Sequence, residues 1–593
     1  MKKIIILSSL IAALGFTGCD VERLPYDSYT DEKINESGEA AVDILLNGCY
    51  GRLKSWSEWM HYTGEFGADN MMKQATSSGA SFRFISYQHT TTNYGVGYFW
   101  NYAYKVIAQS SSIVDLIEEG KSKELDQQLG EAYYLRGMLY FYLCRAFGRP
   151  YYQSPETNLG VPIINGTPED MDNLQLPDRA TVKETYEQAI NDLKKAEQLM
   201  NIQKTAAYAT KGAAQAMLAR IYIYMSGTYD NPNVQYADSA IHYCDAVINS
   251  GNYALLSHEN FKKYNEYSPE DKSQTETIFA IKMVDSEFTA DDYDDGLGGM
   301  YAVIDGLGYG QIFASAKYLD LLRKTKYKED ARWSFIKPQY LTDDAGNKTD
   351  VFRFVAPMWN FGTDGSKKQA GYKYIQAELL KNSDGSLIKP YQVTISEQIG
   401  AKDLGGGKNE PIVDKKTYTL KTVDEKDNSY TIDFYGTTYT GEKDYRMIED
   451  NGYPLYYIYK CSMQEGHSHL HSPIISRLAE LYLTKAEAYA KKGNYQEALV
   501  NLNTIRERAI IGGGYTELNA DNAAQRISEE RQLEMAYEAD RAYEVFRQGW
   551  TMERRYPGVH DAMTDIPATH PRVVQYIPQN DINAYPGTLT QNP

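Results

Sequence analysis

The sequence predicts a mainly α-helical protein in which paired helices form a scaffold and a loop-rich region with short strands interrupts it. Two observations support this prediction. Apolar residues recur at three- and four-residue spacing from about residue 39 to 251 and again from about 476 to 548. Between these regions the chain is rich in Gly, Asp, Tyr and Lys, and turn signals such as Asp364-Gly365 and Asp384-Gly385 break it repeatedly.

The first residues predict an export signal. Lys2 and Lys3 precede an apolar run, Ile4–Phe16, that ends in Thr17-Gly18-Cys19. This run is too short for a membrane span, which needs about 20 apolar residues, and it fits a secretory signal. Small residues directly before a cysteine resemble the site cut by lipoprotein signal peptidase, so we expect removal of residues 1–18 and acylation of Cys19. Ordinary secretory cleavage is the alternative.

The two periodic regions predict a series of amphipathic helices. The predicted helices are Ala40–Trp56, Phe99–Glu119, Glu131–Phe147, Val182–Met200, Ala207–Met225, Tyr236–Asn249, Ser476–Lys492, Tyr495–Arg508 and Ala523–Gln548. In the second region, Ala486 and Ala498 are small enough for two helices to approach closely, and Gly493 suits the turn between them. This spacing is typical of a tetratricopeptide helix pair. A less regular copy occurs around Ala219 and Tyr236, so we predict a helical-repeat scaffold, which presents a surface to partners.

The region between the helices predicts loops and short strands, with strand-like runs at Thr277–Ile281, Thr417–Leu420 and Tyr430–Tyr435. Binding residues are common on such loops when a rigid scaffold positions them. We therefore divide the chain into a signal peptide (1–18), a helical region (19–251), a loop-rich region on the ligand face (252–471) and a second helical region with a tail (472–593).

The composition excludes several classes of protein. The 593 residues have a formal net charge of −18, which disfavours nucleic acid because such binding depends on cationic side chains that neutralise phosphates. Any membrane attachment must come from the lipid rather than from a basic face. The five cysteines are scattered and do not indicate a disulfide scaffold. The 52 tyrosines favour a recognition surface, since a phenol combines a flat apolar face with a hydroxyl group.

Ordered strings along the chain resemble the SusD/RagB family of surface lipoproteins. They include Leu46-Asn47-Gly48-Cys49-Tyr50, Gly130-Glu131-Ala132-Tyr133-Tyr134-Leu135-Arg136, Arg145-Ala146-Phe147-Gly148, Arg477-Leu478-Ala479-Glu480 and Thr590-Gln591-Asn592-Pro593. The resemblance implies a tetratricopeptide-type scaffold with an irregular C-terminal subdomain, anchored by lipid to the outer membrane and exposed at the cell surface. It implies capture of oligosaccharides for a SusC-like TonB-dependent transporter. Oligopeptide capture, and a structural lid with little ligand affinity, are the alternatives.

Sugars are bound by aromatic faces together with Asp, Asn and Arg side chains that bridge hydroxyl groups. Trp100 shares an apolar stripe with Tyr104 and Ile107, so we expect it in the core. For each loop aromatic, packing in the core is the alternative to ligand contact. The candidate ligand-binding residues are Trp59, Asp69, Asn70, Arg83, Asn101, Tyr293, Tyr301, Tyr309, Trp333 and Trp359.

We predict neither a resident metal nor enzymatic chemistry. His467, His469 and His471 alternate but have no carboxylate or cysteine partner at ligand spacing. The acidic run Asp291–Asp295 lacks the closing glutamate of an EF-hand, although calcium stays an alternative because some SusD-like proteins contain it. The sequence also lacks the common zinc-hydrolase, serine-hydrolase and phosphate-binding motifs. The charges at Glu530, Arg531, Glu534, Glu538 and Arg541 are predicted to form internal ion pairs.

Overall fold

The computed structural model describes residues 38–73, 80–166, 174–289, 296–325, 329–406, 408–450, 452–554, 556 and 565–593. The predicted signal peptide, the lipid-anchor residue Cys19, the candidate Tyr293 and the run Asp291–Asp295 lie outside these residues. In the described ranges, no helix combines the length and the apolar character that crossing a bilayer requires.

Helices dominate both ends of the described chain. In chain order they are α1 (Val42–His61), α2 (Ala80–Ser86), α3 (Tyr94–Leu116), α4 (Lys123–Phe147), α5 (Val182–Leu199), α6 (Lys211–Met225), α7 (Val234–Ile248), α8 (His258–Phe261), α9 (Leu297–Tyr301), α10 (Ala316–Arg323), α11 (Leu478–Lys491), α12 (Tyr495–Ala509), α13 (Ala523–Met535), α14 (Arg541–Arg547) and α15 (Gln579–Ala584).

The helices pack as neighbouring pairs, as the periodicity predicted. Helix α1 contacts α3, α4 contacts α5, α6 contacts α7, and α11 contacts α12. Ala486 and Ala498 are fully buried between α11 and α12. Gly493 has φ +74° at the turn, a conformation that favours glycine. Helix α7 also packs on α11, so the two helical regions, distant in sequence, form one frame.

The strands lie mostly in the middle region. They are β1 (Met71–Lys73), β2 (Thr277–Ala280), β3 (Ile312–Ala314), β4 (Ile336–Pro338), β5 (Asp350–Phe361), β6 (Lys367–Glu378), β7 (Gln392–Asp403), β8 (Asn409–Thr419), β9 (Lys421–Asp424), β10 (Ser429–Phe434), β11 (Thr437–Tyr445), β12 (Glu449–Asp450), β13 (Tyr453–Pro454), β14 (Tyr456–Ile458) and β15 (Ile474–Arg477).

Five of these strands form an antiparallel sheet in the order β6-β5-β11-β10-β9, and β7 pairs with β8 as a separate hairpin. Phe352, Phe354, Ile432 and Phe434 form part of a small core beneath them. Strands β5, β6 and β7 each have 12 residues, longer than the short strands expected. Strand β8 is exposed almost throughout and therefore shows no alternation of apolar and polar residues, which hid the hairpin that it forms with β7.

The predicted helix Ala523–Gln548 is interrupted. Helix α13 ends at Met535 and α14 begins at Arg541, with Tyr537 and Ala539 at φ +66° and +61° between them. The Lys460 ammonium stabilises this break by donating to the carbonyl oxygens of Glu534 (2.8 Å) and Ala536 (2.9 Å). Carbonyl groups at a helix end have no partner within the helix, so a tertiary contact that periodicity does not reveal decides where this helix stops.

A buried network of charged side chains joins the C-terminal helices to the rest of the frame, and it confirms the predicted ion pairs. Arg477 is fully buried; its guanidinium nitrogens lie 2.9 Å from a carboxylate oxygen of Glu276 and 2.9 Å from one of Glu538. Arg477 also pairs with Glu534. Arg332 pairs with Glu530 at 2.6 Å. Buried charges need such partners because desolvation is costly.

This network predicts destabilisation by acid. Burial alone would raise the pKa of Glu534, but the guanidinium groups of Arg508 and Arg477 outweigh burial and lower that pKa to about 2. The pKa of Glu538 is lowered too, since Arg477 and Lys460 outweigh its burial. A depressed pKa stabilises the fold above the ordinary value of 4.5, and this stability is lost as the pH falls toward the folded-state pKa.

We therefore expect the melting temperature to fall steeply below about pH 4.5, as measured by circular dichroism from pH 7 to pH 2. In Glu534→Gln, whose side chain is neutral at every pH, the melting temperature should start lower at pH 7 and fall less. A melting temperature that stays constant down to pH 3 would contradict this interpretation of the network.

Candidate functional site

A row of tyrosines follows the solvent face of helix α3. Tyr94, Tyr98 and Tyr102 recur every four residues, which places them on one face of the helix. Tyr94 is 60% exposed, Tyr98 is 46% exposed and Tyr102 is half-buried. The helix begins five residues before the predicted start at Phe99, because the side chain of Asn93 caps it by accepting a hydrogen bond from the Gly95 amide at 3.1 Å.

The opposite face of α3 is buried and holds the helix against the frame. Phe99 and Ala103 are fully buried, and Trp100 is 5% exposed. The Trp100 ring packs on Tyr104 (4.7 Å between ring centroids) and on Phe147 (4.8 Å). The prediction that Trp100 belongs to the core is therefore confirmed.

Trp59 at the end of α1 extends this row of rings. Its ring centroid lies 5.3 Å from that of Tyr98 and 5.7 Å from that of Tyr94. Gly95 makes this approach possible, since a Cβ atom there would lie 2.7 Å from the Trp59 ring. We call Trp59, Tyr94, Tyr98 and Tyr102 the aromatic platform.

Polar groups lie along the platform. Asn101 is exposed, and its amide nitrogen donates to the Gly97 carbonyl (2.9 Å) and to an Asp581 carboxylate oxygen (3.3 Å). Burial raises the pKa of Asp581. The Lys105 ammonium lies 5.4 Å from the Tyr102 ring centroid. Exposed apolar rings beside amide, carboxylate and ammonium groups form a surface suited to a ligand with both apolar and hydroxyl faces.

Three of the candidate residues belong to the interior and not to a ligand surface. Asp69 and Asn70 are 1% and 0% exposed, and Tyr301 is 0% exposed. The Asp69 carboxylate pairs with Arg541 at 2.8 Å and with Lys317 at 2.9 Å. Burial would raise the pKa of Asp69, but these two cations lower it well below its usual range.

The amide of Asn70 donates to Glu65 at 2.9 Å, and the Tyr301 hydroxyl contacts His61. All three side chains are thus buried against protein groups. The prediction that they contact a ligand is wrong, and their role is structural.

The remaining candidates are spread over separate places. Arg83 is half-buried and donates to Thr90, and Tyr309 is 53% exposed in the loop after α9. Trp333 is half-buried and packs against the main core. Trp359 lies on β5, where the Lys367 ammonium is 4.0 Å from its ring centroid. Of the candidates that lie in the described ranges, the structure brings only Trp59 and Asn101 to the aromatic platform.

Sequence reasoning missed Tyr94, Tyr98 and Tyr102. A signal was present, because these tyrosines recur at helical spacing on the side opposite the apolar stripe that contains Trp100. A stripe of aromatic residues facing away from the core indicates a surface for a ligand or partner.

The alternating histidines do contact a carboxylate that is distant in sequence. His467 and His469 each place a ring nitrogen 3.2 Å from Asp285 Oδ1. Across the ranges that the structure describes, no group of three or more His, Cys, Asp or Glu side chains is arranged to hold a metal ion. Cys49, Cys144, Cys244 and Cys461 are buried free thiols.

The assignment of Asp69 to the interior predicts a large loss of stability on its substitution. We expect Asp69→Asn to lower the free energy of unfolding by about 3–5 kcal/mol, because Arg541 and Lys317 lose the carboxylate that neutralises them. Urea denaturation measures this change. Glu118→Gln removes an exposed partner of Lys121 and serves as the control, with an expected loss below about 1 kcal/mol. Equal effects of the two substitutions would contradict the structural role of Asp69.

Comparisons with known proteins agree with this fold. Residues 24–223 match the family model described as starch-binding and associating with the outer membrane, and residues 275–593 match the SusD family model. A SusD-like protein P2 from Formosa agariphila is 22% identical over 565 residues, covering 91% of this chain and 90% of that protein. A SusD-like protein from Bacteroides ovatus is 23% identical over 300 residues, about half of each chain.

Solved structures show the same architecture. A SusD superfamily protein from Bacteroides thetaiotaomicron aligns with a TM-score of 0.65 and 22% identity, covering 93% of this chain and 99% of that one. A SusD-like carbohydrate binding protein from Bacteroides vulgatus aligns with a TM-score of 0.55 and 16% identity, covering 86% and 84%. The SusD model alone matches more than half of the chain. This chain therefore belongs to the SusD/RagB family, a family of carbohydrate-binding proteins of the outer membrane rather than of enzymes.

Proposed function

We propose that this protein captures an oligosaccharide at the cell surface on its aromatic platform and delivers it to a SusC-like TonB-dependent transporter in the outer membrane. The observation that supports this most strongly is the exposed row of Tyr94 and Tyr98 next to Trp59. A contiguous exposed patch of large apolar rings is uncommon and marks interaction sites, so a row of them held open to solvent on a rigid helix suits ligand contact.

The chemistry of the platform fits a sugar. One face of a pyranose ring exposes C–H groups, which pack on an aromatic ring, while its hydroxyl groups remain at the edge. Asn101 and Asp581 offer amide and carboxylate groups there. The rings are also preorganised, since Gly95 lets Trp59 pack on α3, and little conformational entropy is lost when a ligand binds.

The delivery step rests on the family. Acylation of Cys19 would tether the protein to the membrane that contains the transporter, and the N-terminal family model is described as associating with the outer membrane. A carbohydrate-binding relative of the same fold supports sugar as the ligand. Tethering raises the effective concentration of a captured sugar at the transporter without any new contact between sugar and protein.

Electrophoresis in native gels tests the binding step. Soluble protein lacking residues 1–19 is run through gels that contain starch, arabinoxylan, galactomannan, laminarin or alginate, with serum albumin as the reference for migration. We expect one class of polysaccharide to retard it. Retardation by none of these, together with calorimetric binding of a casein peptide digest, would overturn the proposal in favour of oligopeptide capture. No binding in either assay would favour the structural lid.

A further inference from the structure

A ligand-sized cavity is formed by residues that lie far along the chain from the aromatic platform. It has a volume of about 810 Å³ and lies between helix α10 and the five-stranded sheet, within the range of about 300–1,000 Å³ typical of small-molecule sites. Its walls come from α10 and from strands β5, β6, β9, β10 and β11. We call it the junction groove; it shares no lining residue with the aromatic platform.

Paired charges form one side of the groove. The Glu442 carboxylate accepts hydrogen bonds from Arg323 (2.8 Å) and from Arg353 (3.2 Å), and the Tyr456 hydroxyl donates to it at 3.1 Å. Arg353 is 2% exposed. Arg353 also pairs with Asp444, so two cations face two carboxylates, and this side is polar and fixed in position without a strong charge of either sign.

An unsatisfied hydroxyl lies beside these charges, on the neighbouring strand β6 of the same sheet. Tyr374 lines the groove and is 8% exposed, and its hydroxyl group has no hydrogen-bond partner among the described residues. Buried polar groups are nearly always hydrogen-bonded, so we expect a ligand in the groove to draw the Tyr374 hydroxyl, which is itself closed to solvent, into a hydrogen bond. The half-buried ring of Tyr372 lies two residues away on the same strand and adds an apolar surface.

The remaining lining gives the class of ligand. Ser429 and Thr440 contribute hydroxyl groups. Basic and acidic side chains nearly balance, so neither a polyanion nor a polycation is favoured. The basic lining residues are Lys317, Arg323, Lys324 and Arg353, and the acidic ones are Asp320, Asp424, Asp427, Glu442 and Glu553. Donors and acceptors of both kinds beside tyrosine rings suit a neutral ligand rich in hydroxyl groups.

We infer that the junction groove is a second binding site for a neutral oligosaccharide. The inference rests on the proposed function, because the platform and the groove would then hold two parts of one polysaccharide. Two linked contacts bind a long chain more tightly than either contact alone. The sheet that builds the groove would in this way add affinity to the helical scaffold.

Chemical blocking of the groove tests this inference. Thr440 is exposed in the groove lining, so Thr440→Cys can be labelled with a bulky maleimide. The cysteines of the described ranges are buried, and residues 1–19 are absent from the soluble protein, so the label reaches the introduced thiol. Thr438→Cys is the matched control, since Thr438 is exposed on the same strand but outside the lining.

We expect the label at Thr440 to weaken retardation by the bound polysaccharide about tenfold, through loss of the second contact, and the label at Thr438 to leave it unchanged. Tyr374→Phe, which removes only the hydroxyl, should weaken binding about two- to tenfold. This variant tests the groove without a bulky label, in case the label at Thr440 lowers the melting temperature of the protein. If the wild-type protein is retarded and neither the Thr440 label nor Tyr374→Phe changes that retardation, the inference about the groove is wrong and the proposed function stands. Absence of wild-type retardation by every polysaccharide would overturn the proposed function, and the groove with it.

Discussion

Replacement of Arg477 by methionine should lower the free energy of unfolding by at least about 3–5 kcal/mol. The substitution keeps much of the side-chain volume but leaves Glu276, Glu534 and Glu538 without a guanidinium group that all three contact. Each carboxylate keeps one other cation, Arg508 or Lys460, but a buried carboxylate that loses one of its partners retains its full desolvation cost, which explains the size of the effect. Urea denaturation followed by circular dichroism measures it.

Lys121→Met is the control for Arg477→Met. Lys121 is exposed, and its pair with Glu118 is open to solvent, so its replacement should change the free energy of unfolding by less than about 1 kcal/mol. If Arg477→Met were as stable as Lys121→Met, the network would not hold the C-terminal helices as described.

Simultaneous replacement of Tyr94 and Tyr98 by alanine should weaken polysaccharide binding about tenfold to a hundredfold, equivalent to about 1.4–2.8 kcal/mol. These two rings provide the most exposed surface of the platform, and truncation of a central aromatic residue typically accounts for a large part of a binding energy. Isothermal titration calorimetry with an oligosaccharide of the retarding polysaccharide measures the change. Stability should change less than binding, because about half of each side chain is exposed.

Two matched variants separate stacking from other effects. Tyr98→Phe keeps the ring and should bind within about threefold of the wild type, since only a hydroxyl group is lost. Tyr445→Ala removes a tyrosine that is 42% exposed on β11 and should leave binding unchanged. If Tyr445→Ala weakened binding as much as the double variant, the aromatic platform would have no special role.

Much of the fold could be predicted from the sequence because helix pairing leaves a local record. Within 13 residues the chain places two small residues, Ala486 and Ala498, on either side of the turn at Gly493. All three lie where the helix pair requires them. The break after Met535 could not be predicted, since it depends on Lys460, which is about 75 residues away in sequence. The long strand β8 left no apolar alternation because nearly all of it is exposed.

The site was harder to predict than the fold because burial is a property of the folded chain. Asp69 and Asn101 are both residue types that bind sugars, yet Asp69 is buried by Arg541, 472 residues later, and Asn101 remains exposed. Trp59 could be identified as a candidate ligand-binding residue because tryptophan is a residue type that packs on sugars. Tyr94 and Tyr98 were missed because the predicted helix began at Phe99, so their shared face with Tyr102 did not appear in the pattern.

A crystal structure of the soluble protein with an oligosaccharide of the retarding polysaccharide tests the central claim most directly. We predict a sugar ring packed against Tyr94 or Tyr98, with a hydroxyl group within hydrogen-bond distance of Asn101 or Asp581. An oligosaccharide bound elsewhere, with the aromatic platform bare at saturating ligand, would contradict the account.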